Sequence, residues 1–172
     1  MKATHKDAED RYTTYRKAVI DEVNKDLLTQ RKSLYKATLI TNEALIKSVR
    51  WEQSPKRRVD WDWINGYSTF KFRYPKRFEM ALWYQNKLAS LSLGRPTYNG
   101  HSLRLDYIEG NPEKSENVKV FEPTLIAMVA YAEIMGADEL RVMHPISTTV
   151  REHYERFGLQ YIANGDYLFI KL

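Results

Sequence analysis

A chain of 172 residues, of which 43% are hydrophobic and 28% charged, has the size and composition of one globular domain, residues 1–172. It contains no cysteine, which excludes disulfides, thiolate metal sites and cysteine nucleophiles. No apolar run approaches the ~20 residues of a membrane span, and the polar, charged first ten residues do not resemble a signal peptide. We therefore expect a cytoplasmic protein without a membrane segment.

The net charge of +5 is unevenly distributed along the chain. Residues 1–75 have a balance of +6, whereas residues 76–172 have a balance of −1. The densest basic cluster is Lys56, Arg57 and Arg58, in a loop predicted over residues 53–58. Such a half-chain either contacts an acidic partner, protein or nucleic acid, or is an ordinary solvated helical surface.

The first half of the chain reads as helical. Apolar residues at spacings of three and four, including Val19, Val23 and Leu27, predict one helix over residues 7–34. A second helix is predicted over residues 42–51, capped by Thr41 or Asn42. A third is predicted over residues 60–72, beginning at a capping aspartate.

The second half reads as a sheet with two helices. Strands are predicted over residues 78–84, 88–93 and 102–108, followed by a helix over residues 121–135, a strand over residues 139–143 and a second helix. Two last strands, residues 159–163 and 167–172, flank the hairpin signal Asn164-Gly165. Strand, helix, strand implies a parallel pair with a right-handed crossover. The fold class is therefore α+β, with a mixed sheet preceded by a helical segment.

Five segments in this order resemble the GNAT superfamily, the GCN-related N-acetyltransferases. They are Phe-Glu-Met-Ala-Leu-Trp at residues 78–83, Lys-Leu-Ala-Ser-Leu-Ser-Leu-Gly at 87–94, Leu-Arg-Leu-Asp-Tyr-Ile at 103–108, the helix end at 130–137, and His-Tyr-Glu-Arg-Phe-Gly-Leu at 153–159. The resemblance covers residues 78–172, whereas the first 77 residues match poorly because the family opens with a strand and two shorter helices. It implies transfer of an acetyl group from acetyl-CoA to an unidentified amine.

The resemblance also implies where acetyl-CoA binds. In the family its arm lies beside the fourth strand, which corresponds here to Leu105, Tyr107 and Ile108. Its diphosphate lies on the loop before the next helix, and the corresponding candidates here are Lys114, Asn117, Val118, Lys119 and Val120. The family's glycine-rich turn is absent, and three glutamates stand in residues 113–122. Like charges oppose phosphate binding. A second hypothesis is therefore a catalytically inactive binding module of the same fold, with the basic N-terminal half contacting an acidic partner.

The resemblance assigns the general acid to Tyr154, whose alternative is a core aromatic residue beneath the terminal hairpin. Asp106 and Glu109 are candidate general bases, with solvated strand-end carboxylates as the alternative. The four histidines have no metal-ligand spacing, so no metal site is predicted. The aromatic residues between positions 61 and 72 either line a substrate pocket or belong to the core; these are Trp61, Trp63, Tyr67, Phe70 and Phe72.

Overall fold

The computed structural model describes residues 4–172. The elements are α1 (His5–Thr29), β1 (Tyr35–Thr38), α2 (Asn42–Ser48), a 3-10 helix (Val49–Gln53), α3 (Trp63–Arg73), β2 (Phe78–Tyr84), β3 (Lys87–Pro96), β4 (Ser102–Gly110), α4 (Phe121–Met135), β5 (Glu139–Met143), α5 (Thr148–Glu155), β6 (Gln160–Ile162) and β7 (Tyr167–Lys171). In this part of the chain no helix is both long and apolar enough to cross a membrane.

The seven strands form one mixed sheet in the order β1-β2-β3-β4-β5-β7-β6. Neighbouring strands are antiparallel except β4 and β5, which run parallel on either side of the crossover helix α4. The predicted mixed sheet, with its parallel pair and its C-terminal hairpin, is confirmed. The alternation of side chains in β2 explains why both faces are covered: Phe78, Met80 and Leu82 face α1 and α4, whereas Ala81 and Trp83 face α2 and α3.

Two boundaries in the first half differ from the prediction. The helix predicted to reach residue 34 ends at Thr29, where the chain turns through a left-handed Arg31 and then forms the edge strand β1. β1 pairs with β2 from Tyr35 opposite Tyr84. The first 77 residues therefore contain a strand and two short helices after an added helix α1, so the poor match expected there was wrong at the level of structure. Helix α3 is capped by Asp62 instead of Asp60.

Strand β4 changes its geometry halfway along its length. Leu93 pairs with Tyr107 and Gly94 with Leu105, so Asp106 is an extra residue that forms a β-bulge. A Cβ atom at Gly94 would overlap the carbonyl oxygen of Arg104, which is why only glycine fits there. Pairing between β4 and β5 stops after Leu105, while β4 continues to Gly110. The predicted splay of these two strands is confirmed.

Candidate active site

A cavity of about 140 Å³ lies where β4 and β5 separate. It is lined by β4, the end of β5, the connection to α5, α5 itself and the segment before α3; the residues are Val59, Trp61, Leu105, Asp106, Tyr107, Ile108, Val142, Met143, His144, Pro145, Ile146, Val150 and Tyr154. We call it the splay cavity. The fold thus brings together Asp106 and Tyr154, which are 48 residues apart in the sequence. The three donor-arm candidates Leu105, Tyr107 and Ile108 also line it.

Asp106 is held at the bulge by arginines of two strands. Its Oδ1 accepts hydrogen bonds from the guanidinium of Arg104, one of them from Nε at 2.7 Å. Its Oδ2 is buried, accepts no hydrogen bond from the described residues and lies 3.7 Å from Nε of Arg95. Burial raises the pKa of Asp106 above its ordinary value, against the opposing charge of Arg104 and then Arg95. The carboxylate therefore has one oxygen without a hydrogen bond, and that oxygen is shielded from solvent.

Tyr154 lies in the core and also lines the splay cavity. Its ring stacks on Phe121 with centroids 4.3 Å apart, which fixes its position beneath β4 and β5. Burial raises the pKa of Tyr154 to about 12, and within residues 4–172 no hydrogen bond contributes to that shift. The phenol is therefore protonated at neutral pH, and its hydroxyl has no protein partner among those residues. The packed ring agrees with the core alternative, and the place of Tyr154 in the cavity wall is where the general acid was expected.

Glu109 occupies a different environment from Asp106. Its carboxylate is buried and accepts hydrogen bonds from Arg57 Nε at 2.7 Å and from Trp63 Nε1 at 2.6 Å. A second nitrogen of Arg57 lies 3.2 Å from its other oxygen. Glu109 lines neither the splay cavity nor the larger cavity next to it. This geometry favours a structural role for Glu109 over that of a general base. Because Arg57 is paired with Glu109, it is also not available to the acidic partner that the sequence suggested for the basic loop.

A larger cavity of about 560 Å³ adjoins the splay cavity, and we call it the aromatic cavity. Asp106, Tyr107 and Trp61 line both. The remaining walls come mainly from α3 and from β3 and β4; they are Asp62, Trp63, Asn65, Gly66, Tyr67, Thr69, Phe70, Arg73, Tyr74, Leu93, Arg95 and Arg104. Four of the five aromatic residues singled out in the sequence belong to this wall. The fifth, Phe72, is exposed and stacks on His5 with centroids 5.3 Å apart.

The loop before α4 has a cationic environment despite its glutamates. Burial, followed by the charge of Lys119, lowers the pKa of Lys114. Burial, followed by the charges of Arg156, Lys119 and Lys114, lowers the pKa of His153. The charges of Lys114, Lys119 and Arg156 thus act on His153, and we call these four residues the cationic cluster. The predicted phosphate candidates Lys114 and Lys119 belong to it, whereas Asn117 is exposed and carries no charge.

Two of the three loop glutamates are directed away from this cluster. Glu113 bonds to the hydroxyl of Ser54 and lies 3.4 Å from Nζ of Lys56. Glu122 accepts a hydrogen bond from Lys32 Nζ at 3.1 Å. The like-charge objection drawn from the sequence therefore applies to Glu116 alone.

The other candidates in this loop contribute backbone. Val118 is buried, and Val120 precedes α4 without making any side-chain hydrogen bond to the first turn. Pro123 has no N–H, so the helix begins with the backbone N–H groups of Phe121 and Glu122, which no Val120 side chain caps and which favour an anion. Among residues 4–172, no group of three or more His, Asp or Glu side chains is arranged to hold a metal ion.

Sequence reasoning missed the two arginines on Asp106 and the place of Trp61 between the cavities. No local pattern marks them, because the contacts depend on the register of β3 against β4 and on the path of the segment before α3. His153 and Arg156 were part of the segment that carried the resemblance, but their charge was not connected with the loop before α4. The available signal was the spacing of three residues between His153 and Arg156 at the end of α5, which places the two side chains on the same face.

The fold is similar to that of several solved acetyltransferases. The chain is similar to an acetyltransferase of the GNAT family from Staphylococcus aureus Mu50, with a TM-score of 0.64, 10% identity and coverage of 80% of this chain and 99% of that one. It is also similar to an acetyltransferase from Thermus thermophilus, with a TM-score of 0.63, 13% identity and coverage of 80% of this chain and 97% of that one. For the ribosomal-protein-S18-alanine N-acetyltransferase from Escherichia coli the TM-score is 0.54 and the identity 11%, with coverage of 78% of this chain and 90% of that one. No family model and no curated protein matches the sequence. At these identities the likeness concerns the backbone: the chain has the GNAT acetyltransferase fold.

Proposed function

We propose that this protein is an N-acetyltransferase that uses acetyl-CoA as donor and a primary amine as acceptor. The observation that carries the proposal is the meeting of Asp106 and Tyr154 at one cavity, where the sheet splays. One group is a carboxylate with an unbonded oxygen, and the other is a phenol that keeps its proton. A proton acceptor and a proton donor on either side of one cavity are what acyl transfer to an amine requires.

Three features of the chain fit acetyl-CoA. Beyond Leu105, β4 has no strand on its β5 side, so its backbone groups are available to an extended arm. The splay cavity lies at the end of that edge. The cationic cluster and the uncapped start of α4 provide positive charge for phosphates in place of a glycine-rich turn. When bound, acetyl-CoA supplies an acetyl group activated as a thioester.

The residues then divide the proton transfers between them. Asp106 accepts a proton from the acceptor nitrogen, while Arg104 and Arg95 hold the carboxylate in place. The Tyr154 hydroxyl donates its proton to the departing sulfur, and its surroundings keep that proton on the oxygen at neutral pH. The aromatic cavity beside Asp106 receives the rest of the acceptor. Loss of the amine proton and gain of the thiol proton balance, so the reaction needs no other reactant.

The proposal is tested first by calorimetry with acetyl-CoA at concentrations up to the millimolar range, together with a thermal-shift measurement. Tyr154→Phe should leave the affinity for acetyl-CoA within about twofold and lower thiol release in the presence of a panel of amines by ~10²–10⁴-fold. Its stability should change little because the lost hydroxyl has no protein partner in the described part of the chain. Tyr84→Phe is the matched control, since that residue lies at the far edge of the sheet against Tyr35.

An inactive binding module of the same fold is the competing function. The glycine-free loop is the observation that favours it. It predicts neither heat nor thermal stabilisation with millimolar acetyl-CoA. That result would exclude the enzyme, whereas a Tyr154→Phe variant with full turnover and a lower melting temperature would make Tyr154 a structural residue only.

A further inference from the structure

A third cavity, of about 630 Å³, lies at the opposite end of β3 and β4 from the splay. Its walls come from α1, the connection between α3 and β2, the hairpin between β3 and β4, and the end of α4; the residues are Arg11, Tyr12, Tyr15, Arg73, Tyr74, Pro75, Lys76, Arg95, Pro96, Thr97, Tyr98, Asn99, Gly100, Ile134 and Met135. Four of them are cations and none is a carboxylate. We call it the basic cavity.

Three of the four cations of the basic cavity are available to a ligand. Arg11, Arg73 and Lys76 are exposed, and none of them makes an ion pair within 4.0 Å in the part of the chain that the structure describes. Arg95 lies 3.7 Å from Asp106, whose charge is shared with Arg104. The basic loop at residues 56–58 differs from this surface, since Arg57 is buried against Glu109 and Lys56 lies beside Glu113.

Tyrosine rings alternate with these cations. The guanidinium carbon of Arg95 lies 4.5 Å from the centroid of Tyr74, and that of Arg73 lies 5.4 Å from the same ring. Lys76 Nζ lies 5.7 Å from the ring centroid of Tyr12. Tyr98, at the tip of the hairpin, is fully exposed. Positive groups for phosphates beside exposed rings for base stacking are the features by which proteins bind single-stranded nucleic acid.

The basic cavity adjoins the aromatic cavity. Arg73, Tyr74 and Arg95 line both, and the aromatic cavity ends at Asp106. Strand β4 from Ser102 to Asp106, roughly 13 Å long, separates the hairpin at the far end from the proposed site of chemistry. An elongated molecule that passes the shared residues Arg73, Tyr74 and Arg95 would therefore reach from that site, past the α3 aromatics, to the basic cavity.

We infer that the basic cavity binds the phosphates of a short single-stranded nucleic-acid segment, and that the acceptor amine is attached to that segment. Phosphates contact Arg11, Arg73 and Lys76, and a base stacks on Tyr98. The binding half of this inference stands on the basic cavity alone, whereas the identity of the acceptor rests on the proposed function. An acidic peptide satisfies the cations but makes no use of the exposed ring, which is why we assign nucleic acid.

The test is fluorescence anisotropy with a fluorescein-labelled thymidine hexanucleotide, in salt of about 50 mM and about 200 mM. The double variant Arg73→Gln/Lys76→Gln should bind at least about tenfold more weakly at the lower salt, and the dependence of log affinity on log salt should fall by about 1.4, for two contacts on a single strand. Lys56→Gln/Arg58→Gln removes the same charge from another exposed loop and should bind within about twofold of wild type.

Two results would overturn the inference. Equal binding by both double variants would make the basic cavity ordinary solvated surface. A labelled hexaglutamate peptide that binds as tightly as the oligonucleotide would assign the cavity to acidic proteins. Tyr98→Ala adds a check, because it should weaken the oligonucleotide by several fold and leave the peptide unchanged.

Failure of this inference is distinguishable from failure of the proposed function. The cationic cluster lies at the start of α4 and the basic cavity at its end, and the 15 residues between them span roughly 22 Å. Arg73→Gln/Lys76→Gln should therefore bind acetyl-CoA as wild type does. Oligonucleotide binding without acetyl-CoA binding would refute the proposed enzyme and leave the basic cavity as a nucleic-acid site. Acetyl-CoA binding without oligonucleotide binding would refute the nucleic-acid site and leave the proposed enzyme.

Discussion

The strongest prediction about stability concerns Glu79, whose charged side chain lies in the centre of the fold. It is 2% exposed, and its oxygens accept hydrogen bonds from Arg77 Nε at 2.8 Å, the Tyr67 hydroxyl at 2.9 Å and the backbone N–H of Ile40 at 2.8 Å. Arg16 Nε lies 3.8 Å away. These contacts join α1, α3, β2 and the segment after β1.

Glu79→Gln keeps the shape of this side chain and removes its charge. The new amide NH₂ must face one of the existing donors, and the buried Arg16 and Arg77 keep only Glu9, which is partly exposed, as a carboxylate partner among the described residues. Breaking a buried ion pair on one side costs ~3–5 kcal/mol. That is a large part of the ~5–15 kcal/mol by which a typical domain is stable. For a chain of this length it corresponds to a fall in melting temperature of roughly 6–20 °C.

Urea unfolding followed by tryptophan fluorescence measures this cost. Glu43→Gln is the control, because Glu43 and Lys47 form an exposed pair on α2 at 4.0 Å and such pairs contribute at most ~1 kcal/mol. A Glu79→Gln variant that loses under ~1 kcal/mol would refute the reasoning, since it would mean that water reaches the network or that Arg77 finds another partner.

Three further predictions concern the site. Because burial holds the pKa of Asp106 above its ordinary 3.8, kcat/KM should fall as the pH falls through that raised pKa. Asp106→Asn should abolish this acidic limb of the pH profile. Tyr154, with a pKa of about 12, should cause no loss of activity up to about pH 10. Gly94→Ala should lose ~1–3 kcal/mol in a urea titration because its Cβ meets β4 backbone, and a stability equal to wild type would contradict the close approach described here. Lys114→Gln with Lys119→Gln should weaken acetyl-CoA by about tenfold or more in calorimetry, and an unchanged affinity would mean that backbone groups alone hold its phosphates.

The sequence predicted the elements whose signals are local. The alternating side chains of β2 and β3, the Asn164-Gly165 hairpin and the apolar helix α4 each follow from the residues within the element, and together they led to the mixed sheet. Strand β1 was missed because it has only four residues and because Leu34, just before it, extends the helical spacing of α1. An edge strand of that length is defined by its partner, and that partner is distant in the sequence, since Thr38 pairs with Ala81 and Tyr35 pairs with Tyr84 on β2.

Sequence reasoning proposed members of the candidate site but could not predict their surroundings. Tyr154 and Asp106 were reached through the order of the strands, which is a property of the whole fold. The difference between Asp106 and Glu109 was not accessible, since it depends on the bulge, which turns Asp106 towards the two cavities, and on Arg57, which reaches across to Glu109. Burial and hydrogen-bond donors decide what a carboxylate does, and neither is a property of its neighbours in sequence.

The uneven charge of the chain has its explanation in contacts between the two halves. Lys32 pairs with Glu122, Lys56 with Glu113 and Arg57 with Glu109, so three cations of the first half are opposite three glutamates of the second. Two of these pairs remove negative charge from the loop before α4, where the cationic cluster is left with an excess of positive charge. Burial lowers the pKa of His153 and of Lys114 most, and the neighbouring positive charges lower both further. Repulsion between these like charges is unfavourable, and a bound anion would relieve it. Under the proposed function, the N-terminal half therefore favours phosphate binding without touching the phosphate, because it pairs with glutamates in and next to a glycine-free loop.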